Sequence, residues 1–474
     1  MSNAVNTREL AVELLMSMEK DEGFSSDLIR GTLNKYDYLD RRDKAFLKRL
    51  AEGCLEKQLY LDFILNQYSN TPVKKMKPFI RALLRSSLYQ ILFMEQVPDR
   101  AVVNEAVKLA GKRGFVNLKG FVNGVLRKTA SAKEDGTLPA PSTENLTEFW
   151  SVTHSIPAWL IEKWRQELVD ETTLKMLDAF EKPQPVTIRL REFMSETERQ
   201  ELLSQMEEQG AEITPHPYLP YAYCLTRLEG VHHLPGYSQG LFAVQDASSM
   251  LCVEAANIHP GDFILDVCAA PGGKACLAAD KTGPEGKVLA RDVSDIKLSA
   301  VEENAGRLQL DNLNVQLWDA AVFDKTMEEK ADAVLADLPC SGLGILGKKQ
   351  DIRYHVTPES LQELQQLQRQ ILAAAVRYVK PGGTLIYSTC TIDPLENEDN
   401  RTYIIEELGL HPESITESLP ESLRRESAKD GYIQLIPGQD NCDGFFISRF
   451  RKPVNQSARV TLQNPDLHNS GSER

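Results

Sequence analysis

Asp266-Val-Cys-Ala-Ala-Pro-Gly-Gly-Lys274 is the stretch on which the fold turns. The apolar run leading into it, Phe263-Ile-Leu-Asp-Val-Cys268, reads as a buried strand. It breaks at once into Ala-Ala-Pro-Gly-Gly, and a helical pattern follows from Lys274. A strand, a tight glycine turn and a helix N-terminus make a nucleotide pocket at the carboxyl end of a parallel sheet. Glycine is needed there because a Cβ would hold a ligand off the backbone. A lone Pro-Gly-Gly is most often an ordinary βα turn, so the weight lies in what surrounds it.

Downstream, strand and helix patterns alternate. Strands are expected at Phe263–Cys268, Val288–Asp292, Asn314–Leu317, Ala333–Asp337, Thr384–Thr389 and Gly444–Phe450. Helices are expected at Lys297–Leu308, at Pro358–Val379 and from near Glu396. This alternation predicts a doubly wound, Rossmann-like α/β domain over 241–452, followed by a disordered tail over 453–474.

Upstream, residues 1–130 read as all-helical. The strongest helix, Met76–Met94, presents Ile80, Leu83, Leu84, Leu88, Ile91 and Leu92 on one face, with Arg81 and Arg85 outside it. A small, polar stretch with two prolines reads as a linker over 131–147. Residues 148–240 fit a small α+β module, with a strand at Val186–Arg191, a helix at Ser195–Gln209 and a second strand at Ala211–Thr214.

With 474 residues, 42% apolar and 26% charged, the chain has the size and composition of a soluble multidomain protein. No apolar run approaches the length of a membrane span, and the first residues lack a signal-peptide pattern, so a cytoplasmic protein is expected. The eight cysteines are scattered without a CxxC pair, which points to reduced thiols. No histidine pattern suggests a metal site. The net charge of −14 argues against a nucleic-acid partner for the chain as a whole. Residues 1–130, however, hold 22 Lys and Arg against 15 Asp and Glu, an excess of +7 that leaves −21 on the remainder. A basic helical module on an acidic body is suited to phosphate contacts, although a solvated helix surface explains the excess equally well.

Several groups fall at strand ends, where open α/β sheets keep their sites. Asp292 ends the second strand, where a carboxylate can take both ribose hydroxyls; Asp319 ends the third and could reach an adenine amino group. Each, alone, is as readily an N-cap for the next helix. The turn supplies neither GxGxxG nor a complete P-loop, so a nucleoside cofactor without a pyrophosphate fits better, and S-adenosyl-L-methionine is the common one. Asp337-Leu-Pro-Cys340-Ser-Gly342 and Ser388-Thr-Cys390-Thr391 follow the next two strands. A cysteine is usually a small buried hydrophobe. Two of them at neighbouring strand ends, beside an acid, suit a cytosine. Thiolate addition to C6 makes C5 nucleophilic, an acid near N3 stabilises the developing charge, and a base later removes the C5 proton. The residues alone do not rank the two thiols. Lys348, Lys349 and Arg353, beyond the Pro-Cys motif, could meet RNA phosphate.

Residues 240–450 resemble the cytosine-5 RNA methyltransferases of the Nol1/Nop2/Sun family. The matching residues are Cys268-Ala-Ala-Pro-Gly-Gly-Lys274, Asp292, Asp319, Asp337-Leu-Pro-Cys-Ser-Gly342, Ser388-Thr-Cys-Thr391, Gln245-Asp246-Ala-Ser-Ser249 and Asp443-Gly-Phe-Phe446. Ala101–Ala110 and Phe121–Arg127 likewise resemble the NusB-type helical RNA-binding domain. A NusB-like front on such a body resembles the bacterial small-subunit rRNA methylases. That resemblance implies 16S rRNA as substrate and partner, S-adenosyl-L-methionine as cofactor, and a monomer. It implies Cys390 as the nucleophile, Cys340 in product release and Asp337 at the target base. Cys268, Ala269, Ala270, Pro271, Gly272, Gly273 and Lys274 would hold the methionine portion of the cofactor, Asp292 its ribose and Asp319 its adenine, with Asp337 near the methyl. A non-catalytic RNA-binding or assembly factor, and action on another RNA, are the alternatives. An amino-group methylase would carry Asn/Asp-Pro-Pro-aromatic where this chain has Asp337-Leu-Pro-Cys340.

Overall fold

The computed structural model describes residues 6–20, 25–228 and 230–454. The expected disordered tail lies almost wholly outside them. The chain divides into two compact units, one of residues 1–184 with 345–356, the other of residues 185–344 with the rest of the chain.

The first unit is helical: α1 (Thr7–Met18), α2 (Ser25–Lys35), α3 (Arg41–Glu56), α4 (Gln58–Tyr68), α5 (Pro78–Phe93), α6 (Asp99–Lys112), α7 (Lys119–Glu134), α8 (Leu146–Thr153), α9 (Ala158–Glu167) and α10 (Asp170–Glu181). The apolar helix α5 is its centre, touching α1, α3, α4, α6 and α7. Arg85 was expected outside the apolar face of that helix, yet it is buried. Its guanidinium forks onto Asp62 at 2.7 Å and reaches Glu19 at 2.6 Å. Bidentate pairing with carboxylates from two other helical segments is what allows the charge inside. Of the basic residues, Lys112 and Arg113 are engaged by Glu9, whereas Lys74, Lys75, Lys77, Arg127 and Lys128 are exposed. The first residues of the expected linker are the last turn of α7, and α8 to α10 group with the helical unit instead of the following sheet.

The second unit opens with a four-stranded antiparallel sheet, in the order β2-β3-β1-β4. Its strands are β1 (Val186–Leu190), β2 (Glu212–Pro215), β3 (Ala222–Thr226) and β4 (Phe242–Val244), with helix α11 (Glu196–Glu208) between β1 and β2. Ser195 and Glu198 form a capping box at the start of α11. The chain then runs through α12 (Ala247–Ala255), β5 (Phe263–Asp266), α13 (Gly273–Thr282), β6 (Lys287–Asp292), α14 (Asp295–Arg307), β7 (Leu313–Leu317) and β8 (Ala331–Asp337).

After Gly344 the chain leaves this unit, and Ile345–Val356, with α15 (Ile352–His355), packs in the helical one. There Asp351 accepts from the Ser25 N–H at 2.6 Å, and the Tyr354 hydroxyl donates to the Leu55 carbonyl at 2.8 Å. Arg353, expected to face phosphate, is buried and donates to the carbonyls of His154, Ser155 and Leu346. Those carbonyls take the donors that would be needed to grip RNA.

The chain returns through α16 (Pro358–Tyr378), β9 (Val379–Thr389), α17 (Glu398–Glu406), β10 (His411–Pro412), α18 (Glu426–Lys429), β11 (Tyr432–Leu435) and β12 (Phe445–Arg451). The large sheet has the order β10-β12-β9-β8-β5-β6-β7, with β11 on β12. Strands β7, β6, β5, β8 and β9 are parallel, and β12 is antiparallel to β9. The first strand of the wind, β5, has β6 on one side and β8 on the other. The strand order therefore reverses there, and a crevice opens at the carboxyl ends of β5 and β8. No helix of the described residues is long and apolar enough to cross a membrane.

Candidate active site

The glycine turn links β5 to α13. The Ala269 N–H donates to the Arg291 carbonyl at 2.8 Å, which pins the turn to the end of β6. Gly272 has a φ of +102°, and a Cβ on it would meet Val301 at 3.1 Å. Both the left-handed backbone and the close approach of α14 exclude a side chain there. Asp292, at the end of β6, accepts from the Ala270 N–H at 3.3 Å and from Ser294 at 3.1 Å. Its carboxylate thus closes over the turn. Asp319 is exposed and caps its own bend, accepting from the Ala321 N–H at 2.9 Å. The Trp318 ring is occupied by the Arg291 guanidinium, 4.9 Å from its centroid. The apolar surface beside Asp292 is Val293 and Ile296, the latter 87% exposed.

Asp266, the last residue of β5, is buried, and its Oδ2 has no hydrogen-bond partner. Burial pushes its carboxyl up to about 7; the nearby Lys274 opposes this and the Asp337 charge reinforces it. Lys274 ion-pairs with Asp337, Nζ to Oδ2 at 2.6 Å, with the Phe445 ring 5.0 Å away. Burial works against its charge, but Asp337, Cys252 and Asp266 together raise its pKa. The other Asp337 oxygen accepts from the Ser388 hydroxyl at 2.9 Å, and the Cys252 thiol in turn reaches Ser388 at 3.3 Å. Asp337 and Ser388 are paired in the β8–β9 register, so the parallel sheet itself places this contact.

Just beyond, the loops after β8 and β9 bring Cys340 and Cys390 together, Sγ to Sγ at 3.2 Å. The hydrogen shared with Cys390 and then burial hold the Cys340 thiol well above its usual pKa; nearby acid charges add to this. Cys268 is also held as a thiol, by burial and by the ring of aspartates Asp266, Asp292, Asp337 and Asp319. The Gly344 N–H donates to the Cys390 carbonyl at 3.0 Å, and a Cβ on Gly344 would run into the Gly444 carbonyl oxygen. A Cβ on Gly444 would in turn meet the Gly344 Cα at 2.7 Å, which accounts for glycine within Asp443-Gly-Phe-Phe446. Gln245 accepts from buried Arg189 of β1 at 2.9 Å, and Arg189 with Arg191 also grips Asp280 of α13. This network fastens the small sheet to α13.

The structure thus brings Asp337, Cys340, Cys390 and Lys274 into one cluster and sets Asp292 and Asp319 along the adjoining strand ends. Sequence reasoning gave no role to Asp266, Ser388 or the buried Glu396. Ser388 became visible only through strand pairing. Asp266 carried a signal, an acid ending the strand before the turn. The unpartnered Asp266 oxygen, the aspartates ending adjacent strands and the uncovered Val293 and Ile296 fit a nucleoside cofactor with a positively charged methionine arm.

Comparison with known proteins agrees with this arrangement. The 16S rRNA methyltransferase RsmB/F family matches residues 253–451, the NusB family residues 5–131, and the RsmF/B-like ferredoxin-like domain residues 156–232. A probable ribosomal RNA small subunit methyltransferase B of Bacillus subtilis is 34% identical over 94% of this chain and 99% of its own length. Ribosomal RNA small subunit methyltransferase B of Klebsiella pneumoniae is 30% identical over 96% of this chain and 100% of its own. Among solved structures, PH0851 shares the fold across 95% of this chain and 99% of its own, with a TM-score of 0.77 at 22% identity. A methyltransferase homologue from Pyrococcus horikoshii aligns with 65% of this chain and 99% of its own, with a TM-score of 0.55 at 26% identity. The chain therefore belongs to the RsmB/F family of S-adenosyl-L-methionine-dependent 16S rRNA methyltransferases.

Proposed function

We propose that the chain methylates C5 of a cytosine in 16S rRNA through a covalent bond between Cys390 Sγ and C6 of the base. The observation that carries this reading is the pair of thiols 3.2 Å apart beside Asp337. An amino-group methylation needs no thiol, whereas C5 of cytosine needs one to become nucleophilic. The hydrogen shared with Cys390 and burial hold Cys340 as a thiol, the form in which it can serve as a proton donor beside Cys390. Cys390 adds to C6, and the electron pair moves through the ring to C5 and N3. Asp337, oriented by Lys274 and Ser388, meets the N3 and amino edge of the base; in its protonated form it passes a proton to N3, which neutralises that charge, and it takes the proton back when the adduct collapses. S-adenosyl-L-methionine supplies the electrophilic methyl. A base then takes the C5 proton as the Cys390–C6 bond breaks, and Cys340 serves this release step.

Asp292 orients the ribose of the cofactor, Asp319 its adenine, and the Cys268–Lys274 turn its methionine portion. The exposed lysines and arginines of the helical unit supply phosphate contacts that position the RNA without reading sequence. The test is transfer of a labelled methyl group to unmodified 16S rRNA, followed by bisulfite mapping. The reading predicts a 5-methylcytosine that is lost with Cys390→Ala. Label on an amino group, or full transfer by Cys390→Ala, contradicts it.

A further inference from the structure

The two thiols lie on separate loops, and something must hold those loops in register. Behind them, on the turn before α17, Glu396 and Asn397 are both completely buried. One carboxylate oxygen of Glu396 accepts from the Ser341 N–H at 2.9 Å, and the other accepts from the Ser341 hydroxyl. Ser341 directly follows Cys340. Gln368 of α16 braces this arrangement, donating to Glu396 at 2.8 Å and to the Pro339 carbonyl at 2.9 Å. Asn397 grips the other loop from both sides of Cys390. Its Oδ1 accepts from the Thr389 hydroxyl at 2.6 Å, and its Nδ2 donates to the Thr391 carbonyl at 3.2 Å. The hydroxyls of Ser341 and Thr391 meet at 2.8 Å and join the two loops.

We propose that the Glu396–Asn397 pair is a positioning clamp: Glu396 sets the Cys340 loop, Asn397 sets the Cys390 loop, and together they fix the separation of the thiols. Neither side chain touches the sulfurs, so the pair acts through Ser341, Thr389 and Thr391. Glu396 suits this task because three donors converge on it: one N–H, one hydroxyl and one amide. Three donors converging on a carboxylate leave it a single orientation, which is what a rigid support requires. Releasing the clamp on the Cys340 side should impair the step assigned to Cys340 while leaving addition by Cys390 in place.

The inference rests on the two-thiol reading, and two measurements separate their failures. The first reads thiol geometry alone. Diamide takes two electrons and two protons from a pair of nearby thiols, leaving a disulfide and the hydrazide. The Cys340–Cys390 bond should form readily in the wild type and about 10-fold more slowly in Glu396→Ala. The second reads the reaction: Glu396→Ala should lower turnover by about 100-fold, the scale of an ångström-sized misplacement. It should also accumulate covalent protein–RNA adduct with the KM for S-adenosyl-L-methionine unchanged. Ser341→Ala, a milder change, should move both readouts in the same direction, and Glu396→Gln should recover part of each. Disulfide formation at the wild-type rate or faster in both Glu396→Ala and Ser341→Ala, with no added adduct, overturns the clamp. Slower disulfide formation without any adduct in any variant keeps the clamp and counts against the two-thiol chemistry.

Discussion

The two halves of the crevice are built differently. On the β5–β6–β7 side, Asp292 and Asp319 are satisfied close to home, while one oxygen of Asp266 has no partner. Asp319 caps its own turn, and Asp292 holds Ser294 and reaches back to Ala270. On the β8–β9 side, almost every contact joins distant parts of the chain. Lys274 pairs with Asp337, Cys340 with Cys390, and Ser341 with Glu396. The first half needs only a place to lay a ligand on backbone and strand ends. The second must hold reacting groups to a fraction of an ångström, and long-range networks supply that. The first half should therefore lose its function by degrees and the second abruptly.

Among the groups that support the two thiols, the largest effect is expected at Lys274. Lys274→Met leaves the Asp337 carboxylate half-buried beside Asp266 without its cation. Breaking one side of such a pair costs about 3–5 kcal/mol where burial is complete, so the lower part of that range is expected in a thermal melt, with a loss of turnover of at least about 100-fold. Equal turnover to wild type would show that the pair is not part of the working site.

Asp266 comes next, and its effect depends on pH. Its folded-state pKa, about 7, lies above the ordinary 3.8, so the folded protein holds the proton more tightly than the unfolded chain. Stability from this group is therefore present at low pH and is lost as pH rises from about 4 through about 7. Asp266→Asn should remove that loss, raising the melting temperature at pH 8 relative to wild type but little at pH 5. A pH-independent difference would contradict the assignment.

On the other side of the crevice, Asp292→Ala should weaken S-adenosyl-L-methionine binding by about 10- to 100-fold in calorimetry, the worth of hydrogen bonds to a charged group, with kcat changed little. Asp319→Ala should weaken it by less than about 5-fold, because an exposed, self-capped carboxylate offers little net energy. If Asp319→Ala costs more than Lys274→Met, the contrast between the halves fails.

The same contrast explains what could be read from sequence. The glycine turn, the parallel strands and the strand-end acids are local patterns, and each lies within a residue or two of its expected place, except that β9 begins at Val379, five residues before the expected Thr384. Asp337 and Cys390 could be singled out because motif and strand end coincide. The Ser388–Asp337 contact could not, because it depends on β8 lying next to β9. Arg85 and Arg353 were misjudged for a related reason: a charge reads as exposed until its distant partners, Asp62 and Glu19 or the carbonyls of His154 and Ser155, are known. The short strands β3 and β4 gave little periodicity, and α2 is mostly polar, so neither announced itself.

The most direct test of the account incubates the protein with 16S rRNA and S-adenosyl-L-methionine and resolves protein–RNA adducts under denaturing conditions. Cys340→Ala should accumulate a covalent adduct, whereas Cys390→Ala should form none and transfer no methyl group. An adduct in Cys390→Ala and none in Cys340→Ala would reverse the two roles and contradict the account.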